Sequence, residues 1–302
     1  MNNSRFISDQ ESEHASRLVK AIESINTLPD PFSKKPSGQF GAVAKIKCGD
    51  VTVSSSELDF EFTVPFDDDL EPNEAEIVIY NLTDDTIKRF EHHASLSIEA
   101  GYEGDTGVVF KGFIDRVVTN HDDADKVTTI KCFDDVSNKT LESLSFAAKT
   151  KASYILKTLI NKTGLPVAVF NVRRDHTYEN EQTVDGSLME NIKKYSEVCG
   201  VSTYVLKGKI YCRHITEGDN IEFEVSTDTG MLGSPSEYEE EITAEDYTDI
   251  VKGYEIEMLL QHRVQTAAIL NVKSKHVSGK YRVISGEHRF NDSEAITEMK
   301  VM

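Results

Sequence analysis

The sequence predicts an α+β protein that is mainly β: two antiparallel β domains, each a barrel or sandwich, flank a small α/β domain, and a helix precedes them. Three observations carry this. Apolar residues alternate with period two from Ala42 to about Ser145, the spacing of strands with one buried face. Between Lys149 and Cys212 the spacing becomes helical, and after Thr216 it returns to two. The corresponding boundaries are 1–37 for helix and linker, 38–146 for the first β domain, 147–215 for the α/β domain and 216–302 for the second β domain. A chain of 302 residues is long enough for each to hold its own core.

The N-terminal helix is expected over Ser8 to Ile25. Ser8 and Glu11 form a capping box, and Ala15, Leu18, Val19, Ile22 and Ile25 recur on one face. Leu28-Pro29-Asp30-Pro31 ends it and Ser33 to Gly41 reads as a linker. A lone helix of this length is marginal in water, so it must dock on its own domain or on a neighbour.

Strands are expected over Ala42–Lys47, Leu58–Val64, Glu76–Leu82, Leu96–Gly101, Val108–Thr119 and Lys126–Phe133, with a short helix over Thr83–His93. The α/β domain has a helix with Ala152, Ile155, Leu156, Leu159 and Ile160 on one face, stopped by Gly164-Leu165-Pro166. A strand over Val167–Val172 follows, then a second helix opened by Ser187 and Glu190 and closed by Gly200. Val201–Leu206 and Lys209–His214 make a hairpin over Lys207-Gly208. The last strands are Ile221–Val225, Ile250–Leu260, Ala268–Lys273, Lys280–Ser285 and Ala295–Met302. Leu96–Gly101 with Phe110–Ile114 resembles Ile269–Ser274 with Tyr281–Ser285, a faint internal echo whose glycine spacings differ by one.

Charge and composition narrow the function. The formal net charge is −19, and no lysine or arginine occurs between Cys48 and Ile87. Asp50, Glu57, Asp59, Glu61, Asp67, Asp68, Asp69, Glu71, Glu74 and Glu76 fall in that stretch, and a second acidic cluster runs from Glu237 to Asp246. Such surfaces repel nucleic acid. No run of 18 apolar residues is present and the first ten residues are polar, so neither a membrane anchor nor a signal peptide is expected. Cys48, Cys132, Cys199 and Cys212 are far apart, lack zinc spacing and read as small buried hydrophobes.

No motif demands chemistry, and no catalytic, cofactor or metal residue is expected. G-x-S-x-G, P-loop and H-E-x-x-H patterns are all missing from the sequence. His92-His93 would point apart on a helix, Asp67-Asp68-Asp69 lacks the alternation of a calcium loop, and Glu239-Glu240-Glu241 reads as a solvated run. A carboxylate-pair glycosidase is disfavoured because the chain has no tryptophan for a sugar platform.

Glu76-Ile77-Val78-Ile79-Tyr80-Asn81-Leu82-Thr83, Leu96 to Tyr102 and Val109-Phe110-Lys111-Gly112-Phe113-Ile114 together resemble the first tube domain of baseplate hub proteins. These hubs occur in contractile phage tails and tailocins and, as a similar unit, in the N-terminal half of type VI secretion spikes. Gly279 to His288, with the closing Ile296-Thr297-Glu298-Met299, is similar to the second tube domain. Gly101, Tyr102, Gly112, Tyr281 and Gly286 mark the pattern. The resemblance implies a non-enzymatic homotrimer whose six tube domains form a pseudo-hexameric ring joining tail tube protein to spike protein. It further implies contacts with a tape-measure protein and the baseplate wedge, a place in the virion tail or tailocin after assembly in the host cytoplasm, and DNA passing without specific binding. Part of the acidic surface from Asp50 to Glu76 is then expected to line the lumen, with those ten acids as the candidates. A tail-tip protein of a non-contractile phage, or a cell-surface-binding β module, is the alternative.

Overall fold

A computed structural model describes residues 41–122, 125–134, 140–244 and 247–302. The expected N-terminal helix and its linker, up to residue 40, lie outside them. The chain first makes a hairpin of β1 (Ala42–Cys48) and β2 (Val51–Ser54), turning at Gly49 with φ 57°. Next come β3 (Phe60–Phe66), β4 (Glu74–Tyr80), β5 (Ser95–Tyr102), β6 (Asp105–Asp122) and β7 (Asp125–Phe133). Phe60, Phe62, Val64 and Phe66 are buried while Thr63 is exposed, as period two requires. The helix expected over Thr83–His93 is only one turn, α1 (Asp84–Ile87), capped by Thr83. His92 and His93 therefore sit on a turn, and their rings lie 3.7 Å apart instead of pointing away from each other.

Strand β8 (Thr140–Phe146) enters the α/β region, where α2 (Ala152–Thr163) and α3 (Leu188–Cys199) pack side by side. Both helices end where predicted, on left-handed Gly164 and Gly200 with φ 83° and 64°. Ser187 Oγ accepts the Glu190 N–H at the start of α3. Beneath the helices lie β9 (Val167–Phe170), β10 (Gln182–Ser187), β11 (Ser202–Leu206) and β12 (Lys209–Arg213), the last two turning at Lys207-Gly208. All four cysteines are buried.

The chain then forms β13 (Asp219–Val225), β14 (Met231–Ala244), β15 (Tyr247–Leu259), β16 (Ala268–Lys273), β17 (Ser278–Phe290) and β18 (Ala295–Val301). Strand β14 contains the acidic run Glu237–Glu241, which sequence reading left as a charged cluster.

Pairing reveals a duplication. One five-strand unit has the order β3-β4-β7-β6-β5, and the other has β14-β15-β18-β17-β16, every neighbour antiparallel. Each unit breaks register at the same place, between Ile114 and Arg116 on β6 and between Val283 and Ser285 on β17. The flanking strands differ: β1 joins β5 antiparallel, whereas β13 joins β16 parallel. The faint echo is thus present in the topology, but displaced by one residue on its first strand and by two on its second, where Ile114 matches Val283. Pairing matches Leu96 with Leu270, both fully buried, not with Ile269. A one-residue slip would swap faces, so burial agrees with the corrected register.

The two units share one sheet through β17 and β3, which pair from Gly286↔Phe66 to Phe290↔Phe62. The sheet stays open, with β14 and β2 at its ends, so no closed barrel forms among the described residues. The cores interlock across this seam. Phe290 packs into the first core, stacked on Phe62 at 5.4 Å, while Phe66 packs into the second.

Candidate interaction surfaces

The strand alternation that buries Phe60, Phe62 and Val64 turns Glu61 and Thr63 to the opposite face, and the same holds for Glu74, Glu76 and Tyr80 on β4. Register continues this face into both units. Thr63 is flanked by Glu76 and Arg289, Glu76 by Lys131, and Glu287 by Pro65 and Glu298. Glu298 in turn lies opposite Glu257. The result is one polar face, net acidic and laced with ion pairs. Lys131 Nζ sits 2.5 Å from Glu74 and 3.3 Å from Glu76, whose hydrogen bonds raise its pKa. Arg289 engages Glu287, Glu294 and Glu298, and Lys300 reaches Glu255 at 3.9 Å.

Of the ten candidate lumen acids, Glu61, Glu74 and Glu76 share this face. Asp50 lies at the β1–β2 turn and pairs with Arg89. Glu57 and Asp59 are exposed on the loop before β3, where Asp59, Glu61, Asp125 and Asp292 border an open depression.

Asp67, Asp68, Asp69 and Glu71 occupy the β3–β4 loop, which does something sequence reading missed. Asp68 meets Arg282 of β17 at 2.8 Å, and both side chains are largely buried. The Asp68 carbonyl accepts from Ser202 Oγ of β11, and the Asp67 carbonyl accepts from Thr266 Oγ1 at 2.9 Å. This loop therefore ties the first unit to the second and to the α/β region. Burial raises the Asp67 carboxyl to about 6, with help from Asp69, while Asp69 Oδ1 accepts the Glu71 N–H at 2.7 Å. Burial also raises Asp68, a shift that Arg282 opposes without cancelling. A second buried cation, Arg213, donates to Tyr204 and makes a bidentate pair with Asp219, fastening β12 to β13. Alternation did not signal either arginine: Arg282 adjoins the core residue Val283 and Arg213 the core residue Cys212, on the opposite phase of their strands, yet both are only 4% exposed.

The pattern residues fall mainly at close contacts. A Cβ on Gly286 would lie 2.2 Å from the Glu298 carbonyl and 2.6 Å from the Phe66 ring, at the seam itself. Gly112 would strike the Phe133 carbonyl, and Gly101 the Asp105 carbonyl. Tyr102 donates to the Ala295 carbonyl at 3.0 Å, bridging β5 to β18, and Tyr281 packs edge-on against Tyr254.

His288, on β17 opposite Val64, is buried beside Phe66. Its Nδ1 lies 2.8 Å from Thr297 Oγ1, and burial, reinforced by Lys207, holds its pKa down at about 3. No helix among the described residues is long and apolar enough to cross a membrane, and no metal-holding cluster of acids, histidines and cysteines occurs among them.

The arrangement is one continuous sheet with a polar face, and known structures share its fold. No curated protein matches the chain. Its backbone resembles the 43 kDa tail protein of prophage MuSo2 from Shewanella oneidensis, with TM-score 0.62, 8% identity, and 86% of this chain and 96% of that one covered. A tail protein of Neisseria meningitidis MC58 gives TM-score 0.61 at 8% identity, over 87% and 96%. The E. coli c3393 protein gives TM-score 0.62 at 8% identity, over 85% and 76%. That protein is a component of a type VI secretion system, similar in structure to the phage T4 tail proteins gp27 and gp5. At the level of sequence, the family Baseplate hub gp41 matches residues 75–285. That span runs from β4 into β17 and covers well over half of the chain, so the chain belongs to the baseplate hub gp41 family and is a structural part of a phage-type tail baseplate.

Proposed function

We infer that this chain is the non-enzymatic hub subunit that joins the tail tube to the central spike. Three copies would supply six five-strand units in a pseudo-sixfold ring, matching a hexameric tube on one side and a spike on the other. The observation that carries this is the duplication: two units of one topology, already fused edge to edge by β3 and β17. A chain holding two such units converts threefold assembly into a nearly sixfold ring.

The polar face with Glu61, Glu74 and Glu76 is the lumen wall in this reading, and DNA passes along it unbound. At physiological salt, repulsion reaches about 8 Å, so the acids act at the wall. Asp50, Glu57, Asp59, Asp67–Asp69 and Glu71 are left to turns and to the β3–β4 loop. Tape-measure and wedge proteins are further partners, with the segment before residue 41 available to them.

Gold labelling of tail particles that carry a tagged copy of the chain tests the reading. Label confined to the junction of tube and spike is expected. Label along the tube or on fibres would contradict it.

A further inference from the structure

The α/β region carries the opposite charge from the rest of the chain. Residues 147–215 hold 11 lysines and arginines against 6 aspartates and glutamates, although the formal net charge of the whole is −19. No acid occurs from Ser143 to Arg174, a stretch that contains Lys149, Lys151, Lys157, Lys162, Arg173 and Arg174. It is the reverse of the run between Cys48 and Ile87, which has acids and no lysine or arginine.

Strand β9 lies in this acid-free stretch, and one of its edges is open. It pairs with β12 alone, and β11 forms the far side of the same three-stranded sheet. The β11 side is tied down, because Ser202 Oγ donates to the Asp68 carbonyl of the β3–β4 loop. The free side of β9 has no strand partner among the described residues. Its sequence, Val-Ala-Val-Phe, is uncharged, and both Val167 and Ala168 are exposed, Val167 at 38%. Charged side chains guard the open edge of β14, which contains Glu237 and Glu239. At β9 the only guards are its shortness and Pro166 before it.

Cations border this edge. Lys157 of α2 sits 5.5 Å from the Phe170 ring centroid, and Lys209 adjoins Ile210, the residue opposite Val167. Arg173 and Arg174 follow the strand. The nearest acids are already engaged: Glu217 holds Arg173 at 2.9 Å, and Lys151 meets Asp175 at 3.4 Å. Lys157, Lys209 and Arg174 make no ion pair among the described residues.

We propose that the open edge of β9 receives an extended, acidic segment of another protein as a fourth strand of this small sheet. Three properties select that partner. The outward N–H and C=O groups of an edge strand are met by a peptide backbone. The exposed Val167 and Ala168 offer apolar surface for an added strand to bury. The cations favour acids and reject basic competitors. A nucleic acid would use the cations alone, and the acidic remainder of the chain repels it.

Hydrogen exchange on the full chain tests this with two short synthetic peptides as probes, one alternating glutamate with valine and one alternating lysine with valine. The glutamate peptide should slow amide exchange at Val167–Phe170 saturably, and added salt should weaken it. The lysine peptide should not protect the strand. Nor should the glutamate peptide with every backbone nitrogen methylated, which has no donor for the edge. Ala168→Asp should weaken binding of the glutamate peptide. Lys157→Glu with Lys209→Glu should weaken it by about tenfold. All three positions are exposed, so folding is not at stake. Absence of protection at β9, or equal protection by the lysine or the methylated peptide, would overturn the proposal. Protection that rises with the chain's own concentration, without peptide, would assign the edge to a second copy and overturn it as well. Stronger protection by a single-stranded oligonucleotide than by the glutamate peptide would do the same, assigning the cations to nucleic acid.

Discussion

The two five-strand units have one topology but treat their first strands oppositely. In the first unit, β3 reads Phe-Glu-Phe-Thr-Val-Pro-Phe and is covered on both sides, by β4 and β17. In the second, β14 contains Ser-Glu-Tyr-Glu-Glu-Glu and, among the described residues, is paired on one side only. The same position in the same fold is apolar and alternating where a seam covers it, and acidic where an edge is open. Sequence at this position reports how much of the sheet continues beyond it, rather than the fold itself. A second contrast follows. Where the first unit has Phe113, the second has Arg282, held against Asp68 of the first unit's own loop.

Breaking that contact should have the largest effect. Removing one partner of a buried pair costs about 3–5 kcal/mol, so Arg282→Leu should lower the denaturation midpoint sharply. Asp68→Asn combined with it should restore part of the loss, and additive losses would show that the pair is not coupled. Gly286→Ala comes next. Its Cβ meets backbone and the Phe66 ring at the seam, so overpacking of about 1–3 kcal/mol is expected in thermal or denaturant unfolding. An unchanged midpoint would mean that the seam gives way easily.

The seam also titrates. Unfolded, His288 takes up a proton near pH 6.5; folded, only near about 3. The unfolded state binds more protons between those values, so stability falls as pH drops through that window. His262, held down at about 4, acts in the same direction. His288→Gln should flatten the pH dependence of unfolding between about 6 and 4, and an unchanged slope would assign acid sensitivity elsewhere. The smallest effect on stability is expected for Glu61→Gln, Glu74→Gln and Glu76→Gln together, because these side chains are solvent-facing and exposed pairs contribute little. Assembly should persist while DNA delivery slows, and unchanged infectivity would remove these acids from the lumen wall.

Much of this was legible from local rules. Period two located β1, β3, β5, β7 and β16 within two or three residues, and glycine stops located the ends of α2 and α3. Four strands were not seen: β2, β8, β10 and β14. Strand β8 shows only one buried side chain and β10 interrupts its alternation with Gly186, so neither carries a two-residue hydrophobic signal. Strand β14 hid behind its glutamates, as an open edge does. The one-turn α1 shows the reverse error: Ile87 and Phe90 are spaced as in a helix, yet the chain leaves helical geometry after Ile87. Of the site, alternation in Leu58–Val64 put Glu61 opposite the buried Phe60, Phe62 and Val64, whereas bringing Glu74 and Glu76 to the same face took the pairing of β3 with β4. The Asp68–Arg282 and Arg213–Asp219 pairs join residues 214 and 6 positions apart, and no local pattern encodes the longer of these partnerships. The duplication was faint in sequence because the two units share topology and burial but few residue types.

The most direct test of the duplicated hub is the mass and outline of the particle the chain forms. Light scattering with electron-microscope class averages, on the chain alone and with its spike, should give rings near three times 33.8 kDa of this chain. Their outline should look nearly sixfold. A single copy per particle in both preparations, or a ring of six chains, would contradict the account.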